Sequence, residues 1–211
     1  MNPLDNFYAN STLSNGNTTV ATDGTNETYI TSTLAASTGK YYWEVEYDAG
    51  SENSFIGIID RVSNSSSFQA YIDAPNGISY KKNGSIYTNG GNTVNIGSYT
   101  TGDIISVAMD LDNNKLYFGK NGTWLNSGVP TSGSTGTGAF SINSSPTDGV
   151  YYAQVGDDNT GSQTLKCNFG NGYFGTTAIS SAGSNGNGSL FEYDVPSGYY
   201  ALNTKNINTY G

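Results

Sequence analysis

Residues 40–48 read Lys-Tyr-Tyr-Trp-Glu-Val-Glu-Tyr-Asp, and their alternation decides the fold. Tyr41, Trp43, Val45 and Tyr47 fall on one side of an extended chain, and Tyr42, Glu44, Glu46 and Asp48 fall on the other. A period of two with large apolar groups on one face marks a half-buried strand. Downstream, residues 54–60 (SFIGIID) are almost wholly apolar, as in a strand covered on both faces. Gly57 at its centre points to a bulge or a close approach of another backbone. Residues 104–110 and 115–120 flank Leu111-Asp112-Asn113-Asn114 and predict a β-hairpin. Residues 150–156 and 163–169 predict another strand pair, and weaker strands are expected at 29–34, 68–72, 77–80 and 85–88. No window carries a convincing helical period. Many short strands without helices predict an all-β protein, an antiparallel sandwich of two sheets.

The composition agrees. Gly, Asn, Ser and Thr make up about half of the 211 residues, beside 17 Tyr, 8 Phe and 2 Trp. Disordered chains carry many charges and few aromatics, whereas only 12% of this chain is charged. Eight basic against 17 acidic residues leave a net charge of −9. Nucleic acid is therefore not an expected partner, because phosphate binding needs clustered Lys and Arg. No apolar run is long enough for membrane insertion, and residues 1–5 do not resemble the start of a signal peptide. The chain has no His, so a Ser–His–Asp triad is impossible. Cys167 stands alone and reads as a buried structural thiol. No cofactor is expected.

The predicted organisation is a sandwich over residues 1–179, a flexible Gly/Ser/Asn linker over 180–189, and a C-terminal tail segment over 190–211. A second polar stretch, residues 131–138, is expected to be a flexible loop. Phe191, Tyr193, Val195, Tyr199, Tyr200 and Leu202 crowd the tail. Leaving them in water would be costly, so the tail is expected to pack on its own sandwich or on a neighbouring chain.

Gly39-Lys40-Tyr41-Tyr42-Trp43-Glu44-Val45 resembles the opening signature of SPRY domains. Phe55-Ile56-Gly57-Ile58, residues 102–110, Leu116-Tyr117-Phe118-Gly119-Lys120-Asn121-Gly122 and Asn168-Phe169-Gly170 are similar to successive later motifs of that family. Their order carries the resemblance across residues 39–170. It implies a concanavalin-like sandwich that binds partners through loops at one end, without catalysis. Residues 195–207 (VPSGYYALNTKNI) are similar to a segment that follows such modules in bacteriophage tail and virion proteins. The resemblance thus implies a tail-fibre or capsid-fibre protein on the exterior of a phage particle. Its implied partners are other virion proteins and a host-surface glycan or protein, with a homo-oligomer as a further expectation.

The candidate ligand-binding residues lie in two loops, 60–74 and 156–161. Arg61 follows the apolar strand, and the resemblance loosely places it, with Tyr71, where some family members contact ligand. The plainer reading is that Arg61 pairs with Asp60 or Asp73 and merely stiffens the loop. Asp73, Asp157, Asp158 and Asn159 complete the candidate set, and no metal site is expected. Asp110, Asp112, Asn113 and Asn114 read as a turn rather than a calcium loop, because the spacing lacks the Gly and distal Glu of an EF-hand. Glu44, Glu46 and Asp48 read as a solvated strand face. The alternative is a glycan hydrolase, since retaining enzymes hold two carboxyls about 5–5.5 Å apart. A purely structural virion module, contacting only other virion chains, is the remaining alternative.

Overall fold

The computed structural model describes residues 1–5, 11–24, 27–50, 54–62, 76–88, 91–157 and 161–211. In chain order the strands begin with β1 (Thr12–Ser14), β2 (Thr19–Ala21), β3 (Thr28–Ala36), β4 (Lys40–Gly50) and β5 (Ser54–Ile59). There follow β6 (Ile78–Lys81), β7 (Ser85–Thr88), β8 (Gly91–Asn95), β9 (Ile104–Asp110), β10 (Lys115–Lys120) and β11 (Thr123–Trp124). The last are β12 (Phe140–Ser141), β13 (Tyr151–Asp157), β14 (Gln163–Asn168), β15 (Tyr173–Phe174), β16 (Thr177–Ala178) and β17 (Tyr200–Ala201). One sheet runs β1-β2-β14-β4-β9-β10-β11, with β12 joined to β10 and β17 to β4. The other runs β3-β13-β5-β6-β7-β8. Apart from the parallel pair β4–β17, all pairings in the two sheets are antiparallel. The two-sheet antiparallel sandwich expected from the alternation is the observed fold.

The inner faces meet as the period of two dictates. Tyr41, Trp43, Val45 and Tyr47 are fully buried among Ile56, Ile58, Tyr80, Val107, Phe118 and Val155. Truncating a buried Trp such as Trp43 to Ala costs about 3–5 kcal/mol. Every residue of β5 is buried, and Gly57 is where another backbone comes close. A Cβ there would lie 1.9 Å from the Ile78 carbonyl oxygen on β6. The β9–β10 hairpin turns through Leu111-Asp112-Asn113-Asn114, with Asn114 at a positive φ of 57°. The expected strand at 68–72 lies outside the described residues.

Two local expectations are corrected. Residues 131–138 are not a featureless loop: a 3-10 helix spans Pro130–Thr135, and its Ser132 hydroxyl lies 3.3 Å from that of Tyr117. An α-helix, α1 (Thr204–Tyr210), closes the chain where none was expected. The Asn203 side chain caps it by accepting from the Asn206 N–H at 3.0 Å.

The tail packs on the outer face of the β4 sheet. Phe191, Val195, Tyr199 and Ala201 are buried there against Tyr42, Ala108 and Tyr117. The Phe191 ring meets Tyr42 edge-on, with centroids 4.8 Å apart. β14 ends at Asn168, opposite Glu44, and β17 takes up the free edge of β4 beyond it, pairing Tyr200 with Tyr41. Residues 180–189 are tied to this layer, since Gly183 N–H donates to Phe191 O and Val195 N–H donates to Ser184 O.

Candidate functional site

β5 delivers Asp60 and Arg61 to one end of the sandwich. Asp60 is fully buried. Its Oδ2 accepts from Asn76 Nδ2 at 2.8 Å, Thr147 N–H at 2.9 Å and Thr147 Oγ1 at 2.6 Å. Asn76 passes the order outward, because its Oδ1 accepts from Asn143 Nδ2 at 2.7 Å. Asn143 Oδ1 in turn accepts from the Ser145 N–H at 2.9 Å. The neighbouring loop is pinned as well: Asp148 N–H donates to Asp60 O, and Val62 N–H donates to Asp148 Oδ2. Tyr151 donates to the Asn143 carbonyl at 2.9 Å. Burial foremost, and then the nearby Asp60 charge, push its phenol pKa up. One buried carboxylate therefore fixes three chain segments: the exit of β5, the entry to β6, and the loop before β13.

Beside this relay lies an open groove of about 360 Å³. Asn76, Thr88, Thr93, Phe140, Ser141 and Asn143 line it, so it sits between the β6–β8 edge of one sheet and β12 of the other. Arg61, half-buried, belongs to the same end. Tyr71 and Asp73 lie in the connection from β5 to β6, outside the described residues.

The second candidate loop is elsewhere. β13 runs antiparallel to β5, with Tyr152 opposite Ile59 and Asp157 opposite Ser54. Arg61 and Asp157 are thus carried to opposite ends of a six-residue strand, itself roughly 17 Å long. They do not form one site. Asp157 is also only 1% exposed, and its carboxylate accepts from the Thr28 N–H at 3.2 Å. Asp158 and Asn159 lie outside the described residues.

Glu44 is the main correction. It is not on a solvated face: it is fully buried beneath the tail. Its Oε1 accepts from Tyr42 Oη at 2.8 Å and Tyr193 N–H at 2.9 Å. Its Oε2 accepts from Glu192 N–H at 2.9 Å and Asn168 Nδ2 at 3.3 Å. Burial outweighs these four bonds and holds the carboxyl above its usual range. Glu46 and Asp48, farther along β4, remain partly exposed beside Lys166. A hydrolase would need Glu44 open to substrate, and here its oxygens are occupied by the chain itself.

The other singled-out groups are structural. Asp110 is buried, pairs with Lys40 Nζ at 2.9 Å and accepts from Asn113 N–H and Nδ2. Asp112 Oδ1 accepts from the Gly39 N–H at 2.8 Å. Among the described residues, no group of three or more Cys, Asp or Glu is arranged to hold a metal. The buried Cys167 thiol is pushed up to about 12 by desolvation, so its reactive thiolate is suppressed. Trp124 packs edge-on to Tyr42 at 6.4 Å. The groove residues Asn76 and Asn143 escaped the sequence reading. Asn76-Gly77 carries only an ordinary turn signal, and no spacing links either Asn to Asp60.

The fold is thus a two-sheet sandwich with an open groove at one end, lined mainly by β6, β7, β8 and β12. The SPRY-domain profile matches residues 40–171, and the chain belongs to the SPRY family. The SPRY domain of human HERC1 superposes with a TM-score of 0.61 at 18% identity, over 79% of this chain and 95% of that one. A second human SPRY domain gives a TM-score of 0.52 at 15% identity, over 74% and 93%. At these identities the likeness is one of fold. No curated protein sequence matches the chain. SPRY domains mediate protein–protein interactions and are typically non-catalytic.

Proposed function

We propose that the chain is a non-enzymatic recognition module of a bacteriophage virion, displayed on the particle exterior as part of a tail or capsid fibre. The end of the sandwich that carries Arg61 contacts the host surface, whether glycan or protein. The observation behind this choice of end is the Asp60-anchored relay, which holds a solvent-open groove in a fixed shape; preorganisation of that kind lowers the entropy cost of binding. Arg61, Tyr71 and Asp73 are the contact residues proposed on this end. Asp158 and Asn159 would make a separate contact at the opposite end, with the inward-facing Asp157 positioning their loop. Supporting the virion setting are the similarity of residues 195–207 to segments of phage virion proteins and the Gly/Asn/Ser/Thr/Tyr-rich, His-free composition. Residues 1–179, 180–189 and 190–211 are proposed as its sandwich, connector and tail.

The test is electron microscopy of phage particles decorated with antibody to this domain. Label on tail or capsid fibres is the expected result. Particles that carry no label, under conditions where the isolated chain is recognised, would contradict the proposal.

A further inference from the structure

We infer that the groove beside Asn76 and Asn143 is a subsite for a neutral carbohydrate. The inference rests on the reading above, in that it takes the Arg61 end to be the recognising end.

The lining supplies two primary amides, three hydroxyls and one aromatic ring: Asn76, Asn143, Thr88, Thr93, Ser141 and Phe140. No charged side chain is among the described residues that line it. Among the described lining residues, a peptide or glycan carrying formal charge finds no counter-ion. The net charge of −9 further disfavours polyanions. A neutral polyhydroxyl ligand needs donors and acceptors in alternation, and an amide offers both on one rigid plane.

The orientation of these amides is set from below. The carboxylate of Asp60 can only accept, so Asn76 must present its nitrogen inward and its oxygen toward Asn143. One N–H and one lone pair of Asn76 stay uncommitted by these bonds. Asn143 likewise keeps an N–H after bonding Asn76, and a lone pair after accepting from Ser145. Two pre-aimed amides thus offer paired donor and acceptor positions to vicinal hydroxyls. Phe140 is only partly buried, leaning on Phe118 with centroids 5.9 Å apart, and gives an apolar surface for the C–H face of a sugar ring. The volume of about 360 Å³ accommodates a sugar unit rather than a folded protein loop.

The test uses the full chain and ligand-observed NMR with D-glucose, D-galactose, D-mannose and N-acetylglucosamine, and their short oligomers. N-acetylneuraminic acid and glucuronic acid serve as charged comparators. The expected result is saturation transfer to at least one neutral sugar and none to the charged ones. Asn143→Ala removes an exposed amide and leaves the three bonds to Asp60 Oδ2 in place; it should weaken binding about tenfold. Ser141→Trp should fill the groove and abolish binding, with the melting temperature of both variants checked against wild type. Binding of charged sugars alone, or neutral-sugar binding indifferent to both variants, would overturn the inference. So would an absence of sugar binding while the chain still adheres to host cells in a Ser141→Trp-sensitive manner; that outcome would leave the recognition reading standing with a peptide occupant. Absence of adhesion altogether would remove the reading itself.

Discussion

Glu44 shows how far a single residue departs from what its neighbours in sequence suggest. Alternation correctly sets it on the face opposite Trp43, yet a pattern of faces says nothing about what covers each one. Here the cover comes from Glu192 and Tyr193, nearly 150 residues away in the chain, and no local signal announces it. The consequence is measurable. In Glu44→Gln an amide nitrogen replaces one acceptor, so at least one fixed donor faces another donor, a cost of about 1–3 kcal/mol. The pH dependence has a definite sign. Because burial raises the folded-state value above the ordinary 4.5, the native state binds this proton more tightly than the unfolded chain. The contribution of Glu44 is complete below that ordinary value and is lost as pH rises through the raised one. The melting temperature of wild type minus that of Glu44→Gln should therefore fall as pH rises from about 4 to about 8. A difference that rises with pH would contradict the raised value assigned to Glu44.

At the level of elements, the strands were legible because each obeys a local rule. β5, β7, β9 and β10 fall at or within one residue of their expected bounds, since each is flanked by turn residues and filled by β-branched or aromatic groups. The elements that escaped have no such signal. β1, β2 and β17 are two or three residues long, and α1 has under two turns in which to show a helical period. β17 exists because β14 stops at Asn168 and leaves the edge of β4 free, which is a property of the sheet rather than of residues 200–201. The tail that carries β17 is held by Phe191 and Tyr199, and Tyr199 also donates to Pro130 O at 2.9 Å. Phe191→Ala should cost about 3–5 kcal/mol and should speed proteolysis within residues 180–211, read by limited digestion with mass spectrometry. Unchanged melting and cleavage would show that the tail does not depend on this anchor.

Over the whole molecule, topology corrected the site more than it corrected the fold. The two candidate loops looked equivalent in sequence, because both follow strands and both are rich in Asp or Asn. The antiparallel register of β5 and β13 sends them to opposite ends, and only pairing partners, which sequence does not display, could separate them. Asn76 and Asn143 lie 67 residues apart and meet only because the exit of β5 and the entry of β13 share the Arg61 end. Recognition through the groove therefore belongs to the Arg61 end, and the contact proposed for Asp158 and Asn159 at the other end is separate from it. The most direct test is adhesion of the fluorescently labelled full chain to host cells, comparing Ser141→Trp at the groove with Thr101→Trp, an exposed turn residue at the opposite end. Loss of adhesion in Ser141→Trp with wild-type adhesion in Thr101→Trp is the predicted result; the reverse pattern would contradict the account.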